Sequence, residues 1–130
     1  LDEVMKLADK VLVPLQPSIF DIRATHEFIN QLVAHKRSSR FHLATVGMRT
    51  REGTIATDQL RTYLGNAGVP LLGFLRDTQN YVHMAAHGRT LWDVAPSRFE
   101  RDLEQWLPIT AWLDTEPLSK DGRDTKETNE

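Results

Sequence analysis

The chain has 130 residues, 40% hydrophobic and 26% charged, with a net charge of −2 and no cysteine. This describes one domain, or a large piece of one, with enough apolar content for a core. It excludes wholesale disorder, disulfides, thiolate metal sites and cysteine nucleophiles, and it exerts no global attraction for nucleic acid.

Residues 1–8 read as the end of a helix, with Val4, Leu7 and Ala8 on one face. Val11–Leu15 is a continuous apolar run, the pattern of a strand covered on both faces. Ser18 and Asp21 are caps for a helix reaching about His35, with Ile22, Phe28, Ile29 and Leu32 as its core stripe. Lys36-Arg37-Ser38-Ser39-Arg40 is a basic loop. Phe41–Val46 is a second strand, ending at Gly47, and Met48–Thr54 a charged loop. Thr57-Asp58 opens a helix with Leu60, Tyr63 and Leu64 inward, stopped by Gly65-Asn66-Ala67-Gly68.

Val69–Leu75 is the third strand and Arg76–Asn80 a loop. Tyr81–His87 is a short helix stopped by Gly88, and Thr90–Val94 a connector holding Trp92. Pro96 and Ser97 begin a last helix, Arg98 to about Leu113, with Phe99, Leu103, Trp106 and Leu107 on one side. Pro108 is predicted to kink or split it. Asp114–Glu130 is almost free of apolar residues and is predicted to be a disordered tail after a domain spanning 1–113. Alternating strands and helices predict an α/β fold in three layers, with a short, mostly parallel sheet covered by helices.

Several constellations have a plain structural reading. His83 and His87 share a helix face, but no third metal ligand is near, so they read as exposed helix residues. Ser18 and Asp21 lack a histidine partner and read as caps. Trp92, Trp106 and Trp112 read as core packing rather than a membrane anchor. No apolar run approaches the roughly 20 residues that span a bilayer. Leu1–Lys10 carries charges where a signal peptide would be apolar. A cytoplasmic protein without membrane contact is expected.

Three segments together resemble the C-terminal half of ParA/MinD-type partitioning ATPases, which have a P-loop NTPase fold. They are Ala8–Asp21 (ADKVLVPLQPSIFD), Ala44-Thr45-Val46-Gly47-Met48-Arg49, and Pro70–Gly88 followed by Leu91-Trp92-Asp93. The resemblance covers about Ala8 to Leu113. It implies a parent ATPase in plasmid or chromosome partition, or in cargo positioning, using ATP and Mg. In that family ATP closes a dimer, the dimer binds DNA, and a partner protein stimulates hydrolysis.

The base would be gripped by the loops after the second and third strands, at Met48, Arg49, Arg76 and Asp77. Met48 departs from the family's Asn, and a thioether packs against a base but cannot pair with its edge. The phosphate-loop lysine, the magnesium-holding hydroxyl and the metal-serving Asp are missing, so the chain is expected to be a fragment that does not hydrolyse ATP alone. Non-specific DNA contacts would fall on Lys36, Arg37, Arg40 and Arg98. The Val11–Leu15 strand would lack its neighbour and present an open edge for a homo-oligomer or a separate chain. The alternative is a non-catalytic interaction or dimerisation module of the same fold. An unrelated flavodoxin-like or receiver-like domain is a further alternative, the receiver form disfavoured by the lack of clustered acids at an early strand end.

Overall fold

The computed structural model describes residues 1–118. Eight principal elements follow one another: α1 (Asp2–Leu7), β1 (Lys10–Leu15), α2 (Ile19–Ala34), β2 (His42–Thr50), α3 (Ile55–Asn66), β3 (Leu71–Arg76), α4 (Asn80–Ala86) and α5 (Glu100–Leu113). The strands form one parallel sheet in the order β1-β2-β3. Both crossovers step in the same direction across the sheet. Crossovers of one hand then put their helices on one face, and α2 and α3 share a core there. Ile22, Ile29 and Leu32 of α2 and Leu60 and Leu64 of α3 meet Val13 and Leu15 of β1. On the opposite face Ile109 and Trp106 of α5 pack on Leu12, Val46, Leu72 and Leu75.

Strand alternation explains how apolar runs serve two layers. In β1, Val13 and Leu15 face the α2–α3 layer and Leu12 faces α5. α5 lies across the sheet antiparallel to the strands. Asp102 near its start bonds Arg76 at the end of β3. Lys10 at the start of β1 donates to the carbonyls of Leu113 and Thr115 at its end.

Several sequence expectations need correction. In α1 the core residue is Met5, whereas Val4 and Leu7 are exposed. Phe28 lies on the flank of α2, 38% exposed, and not in its core stripe. β2 continues through Met48 to Thr50, because Thr50 still pairs with Arg76 on β3. α3 starts two residues early, at Ile55, with the Thr54 hydroxyl accepting from Thr57 N at 3.3 Å. Ser18 stands at the N-cap of α2 without a side-chain cap bond.

Pro108 neither ends nor splits α5. Pro108 is exposed, and so is Glu104, the residue whose carbonyl loses its helical donor. The last helix begins at Glu100 after a single 3-10 turn, Pro96–Arg98. Leu107 is exposed, and Asp102 takes a buried place on that helix. Of the predicted disordered tail, residues 119–130 lie outside the described residues, and 116–118 carry no helix or strand.

β1 is an edge strand among the described residues. Asp9 O accepts from His42 N, so residues 11, 13 and 15 point their backbone groups at β2. Lys10, Leu12 and Pro14 then point theirs outward, and Pro14 has no N–H to offer.

Gly47 shows why a glycine ends the sequence-predicted part of β2. A Cβ there would lie 2.3 Å from Cδ1 of Phe74 on β3, itself packed under the Arg61 guanidinium at 4.9 Å. Gly47→Ala is expected to destabilise the fold by about 1–3 kcal/mol through this overpacking. Urea unfolding measures it, and Phe74→Leu in the same chain should recover part of the loss.

Candidate functional site

The carboxyl ends of β2 and β3 open into a cavity of about 320 Å³. Open parallel sheets bind ligands at this end of their strands. Met48 and Arg49 come from β2; Arg76 and Asp77 from the end of β3 and the turn after it. Tyr81 and Val82 of α4 and Trp106 of α5 complete the wall. All four sequence-predicted base-binding residues line this one cavity. Its lining surface is largely apolar, from Met48, Leu75, Val82 and Trp106 among others, with polar groups supplied by Arg49, Arg76, Asp77, Thr78 and Gln79, the usual composition of a small-molecule site.

Asp102 organises the surroundings. It is fully buried, and its carboxylate accepts from Arg76 Nε at 2.6 Å, Arg76 Nη2 at 3.0 Å and Asn80 Nδ2 at 2.9 Å. Arg76 N donates to Gln105 Oε1 at 2.9 Å. β3, α4 and α5 are thereby tied at one point beneath the cavity. Arg76 lines the site, but its guanidinium is committed to Asp102. The Arg76 hydrogen bond chiefly holds the Asp102 carboxyl below its ordinary range; burial opposes this and Asn80 assists it. The same pair raises the Arg76 pKa.

Asp77 holds the rim. One carboxylate oxygen accepts from Arg51 Nε and Nη2 at 3.1 and 2.8 Å; the other faces Arg49 Nε at 3.5 Å. The Arg51 hydrogen bond is the main cause of its lowered pKa. Arg49 has a left-handed backbone, φ 52°, which is uncommon for a residue with a side chain and concentrates at functional turns. The Trp106 indole donates to Tyr81 OH at 3.1 Å, fixing the two rings against each other, and Trp92 meets Trp106 edge-on at 5.4 Å. Burial is the first cause of the raised Tyr81 pKa.

The four residues predicted for DNA contact do not form one patch. Lys36, Arg37 and Arg40 lie in the connection that feeds the start of β2. Arg98 precedes α5 at the opposite, carboxyl end of the strands, with its guanidinium over Phe99. Among the described residues no group of three or more His, Cys, Asp or Glu side chains is arranged to hold a metal. His87 Nδ1 instead lies 2.8 Å from the His83 carbonyl.

Sequence reasoning passed over Tyr81, Trp106 and Asp102 as site residues. Asp102 lies on the last helix among other charged residues, Glu100, Arg101 and Glu104. Its spacing to Trp106 and Ile109, i, i+4 and i+7, is the signal that puts it on the sheet-facing stripe. No protein-family model, curated protein or solved structure matches this chain.

Removing the carboxylate should be severe, because it leaves Arg76 and Asn80 facing a low-dielectric hole. Asp102→Ala is expected to cost about 3–5 kcal/mol, read by chemical denaturation. Asp102 and Asp77 both have folded pKa values below their ordinary ones, so their contributions are complete above the usual carboxylate range. Those contributions fade as pH falls through the folded values. Asp102→Asn should therefore be less stable than the parent at neutral pH and show a shallower loss of stability on acidification, measured by denaturant midpoints across an acid series.

Proposed function

We propose that this chain is the base-side portion of a ParA-like nucleotide-binding ATPase, acting in partition or positioning of a cargo. The observation that carries this reading is the meeting of Met48, Arg49, Arg76 and Asp77 around one apolar cavity at the carboxyl end of a parallel sheet. Met48 and Trp106 would sandwich a planar base, and Asp77 and Gln79 on the rim would meet its polar edge. The sequence has no Gly-rich, Lys-bearing loop, so the terminal phosphates and Mg of ATP would be held by residues outside it. On this reading the chain alone hydrolyses nothing.

A companion strand would engage β1 through the outward backbone of Lys10 and Leu12, whether from a second copy or a separate chain. Non-specific DNA contact would rest on Lys36, Arg37 and Arg40 without Arg98. The second reading, a non-catalytic interaction module, is favoured by the Arg76 guanidinium being already consumed by Asp102, and by Met48 standing where the resembled family carries an Asn. No helix among the described residues is long and apolar enough to cross a membrane.

The two readings separate on titration of the 130-residue chain with adenosine and ATP, following the Trp106 indole N–H by NMR. Base binding predicts a saturable shift of that signal, abolished by Val82→Arg, and no ATP turnover above background. An unmoved Trp106 signal at millimolar ligand would remove the nucleotide reading and leave the interaction module.

A further inference from the structure

Resting on the base cavity proposed above, we infer that the chain carries its own anion subsite beside that cavity and selects a nucleoside phosphate over a nucleoside. A second cavity of about 190 Å³ adjoins the first, and Arg76 and Asp77 line both. Its character is opposite to that of the first: polar, with Arg51 and Arg101 among its walls together with Thr50, Glu52 and Gln105.

The charge count at this end of the sheet departs from that of the whole chain, which is net negative. Arg49 and Arg51 share one carboxylate, Asp77. Arg76 is matched by Asp102, and Glu52 is engaged by Arg61 at 3.0 Å. Arg101 lines the second cavity, forms none of the ion pairs found among the described residues, and acts on Asp102 through charge attraction alone. The remaining acids on the first turns of α5, Glu100 and Glu104, line a different groove with Leu103 and Leu107. The paired cavities are therefore lined by four guanidinium groups, Arg49, Arg51, Arg76 and Arg101, against two carboxylates, Glu52 and Asp77, with Asp102 buried behind Arg76.

Arginine suits this task. Its planar fork bonds two phosphate oxygens at once, and its charge does not depend on pH in the working range. Asp77 pre-orients Arg51 through two hydrogen bonds to one oxygen, which leaves a guanidinium N–H edge for a ligand. A flat apolar body in the first cavity and a dianionic group in the second describe a mononucleotide, with the phosphate nearest the ribose meeting Arg51 and Arg101.

The test compares adenosine, AMP and inorganic phosphate on the full 130-residue chain, following the Trp106 indole and the Arg51 and Arg101 Nε–H signals. AMP should bind about tenfold more tightly than adenosine at low ionic strength, and the gap should narrow as salt screens the exposed arginines. Arg51→Gln and Arg101→Gln should bring the AMP-to-adenosine affinity ratio toward one, whereas Arg23→Gln, on α2, should keep it. Equal affinity for AMP and adenosine at low salt overturns the subsite and leaves the base cavity standing. Inorganic phosphate shifting the arginine signals as strongly as AMP reduces the site to an adventitious anion contact and overturns the selection of a nucleotide. Silence of Trp106 toward both adenosine and AMP overturns the base cavity and the subsite together.

Discussion

The buried ion pair between Asp102 and Arg76 is the constraint from which the site follows. A carboxylate with no solvent exposure is tolerable only when its oxygens are fully engaged, and Arg76 and Asn80 supply three donors. Those donors come from the end of β3 and the start of α4, while the acceptor comes from α5. The three elements cannot drift apart without stranding a charge. Replacing a buried pair by apolar residues of similar volume is often neutral for stability. Its distinctive effect is geometric: it fixes where the three walls of the cavity stand.

Chain direction then explains the polarity of the molecule. All three strands run the same way, so their carboxyl ends, the connections that leave them and the start of α5 gather at one end of the sheet. The cavity, the left-handed Arg49 and the arginine-lined cleft are all there. The opposite end holds the Lys36–Arg40 connection and the close of α5, where Lys10 takes up two carbonyls at the helix terminus. A basic group at each end is a poor description of one nucleic-acid surface, which requires phosphates to be met along a continuous track.

Sequence patterns revealed the strands and helices because their signals are local. Apolar runs bounded by Pro, Gly and charged residues are legible one segment at a time. The cavity was legible only in part: Met48, Arg49, Arg76 and Asp77 were named from the resemblance to partitioning ATPases, in the loops expected after two apolar strands. Tyr81, Trp106 and Asp102 were not, because their roles depend on how α4 and α5 return over the sheet. A charged residue in an amphipathic helix reads as solvated unless its partner is known, and Arg76 lies 26 residues away. Likewise, the apolar Val4, Leu7, Phe28 and Leu107 gave no sign that they face water, since surfaces retain many apolar atoms.

The exposed edge of β1 limits how this chain can join another. Its outward side offers N–H donors at Lys10 and Leu12 and carbonyls at Lys10, Leu12 and Pro14, but the donor at Pro14 is missing. A neighbour in regular register would find an unanswered acceptor opposite Pro14 and would have to bulge or end there. Proline on an edge is a common guard against indiscriminate strand pairing. Phe20 of α2, 80% exposed, and Leu7 of α1, 83% exposed, add apolar surface outside the sheet itself. Backbone bonding through two residues is too little to hold a strand in water, so lasting association at this edge requires apolar burial alongside it. A strand added here would therefore need a covering apolar layer, and a lone extended peptide would not suffice.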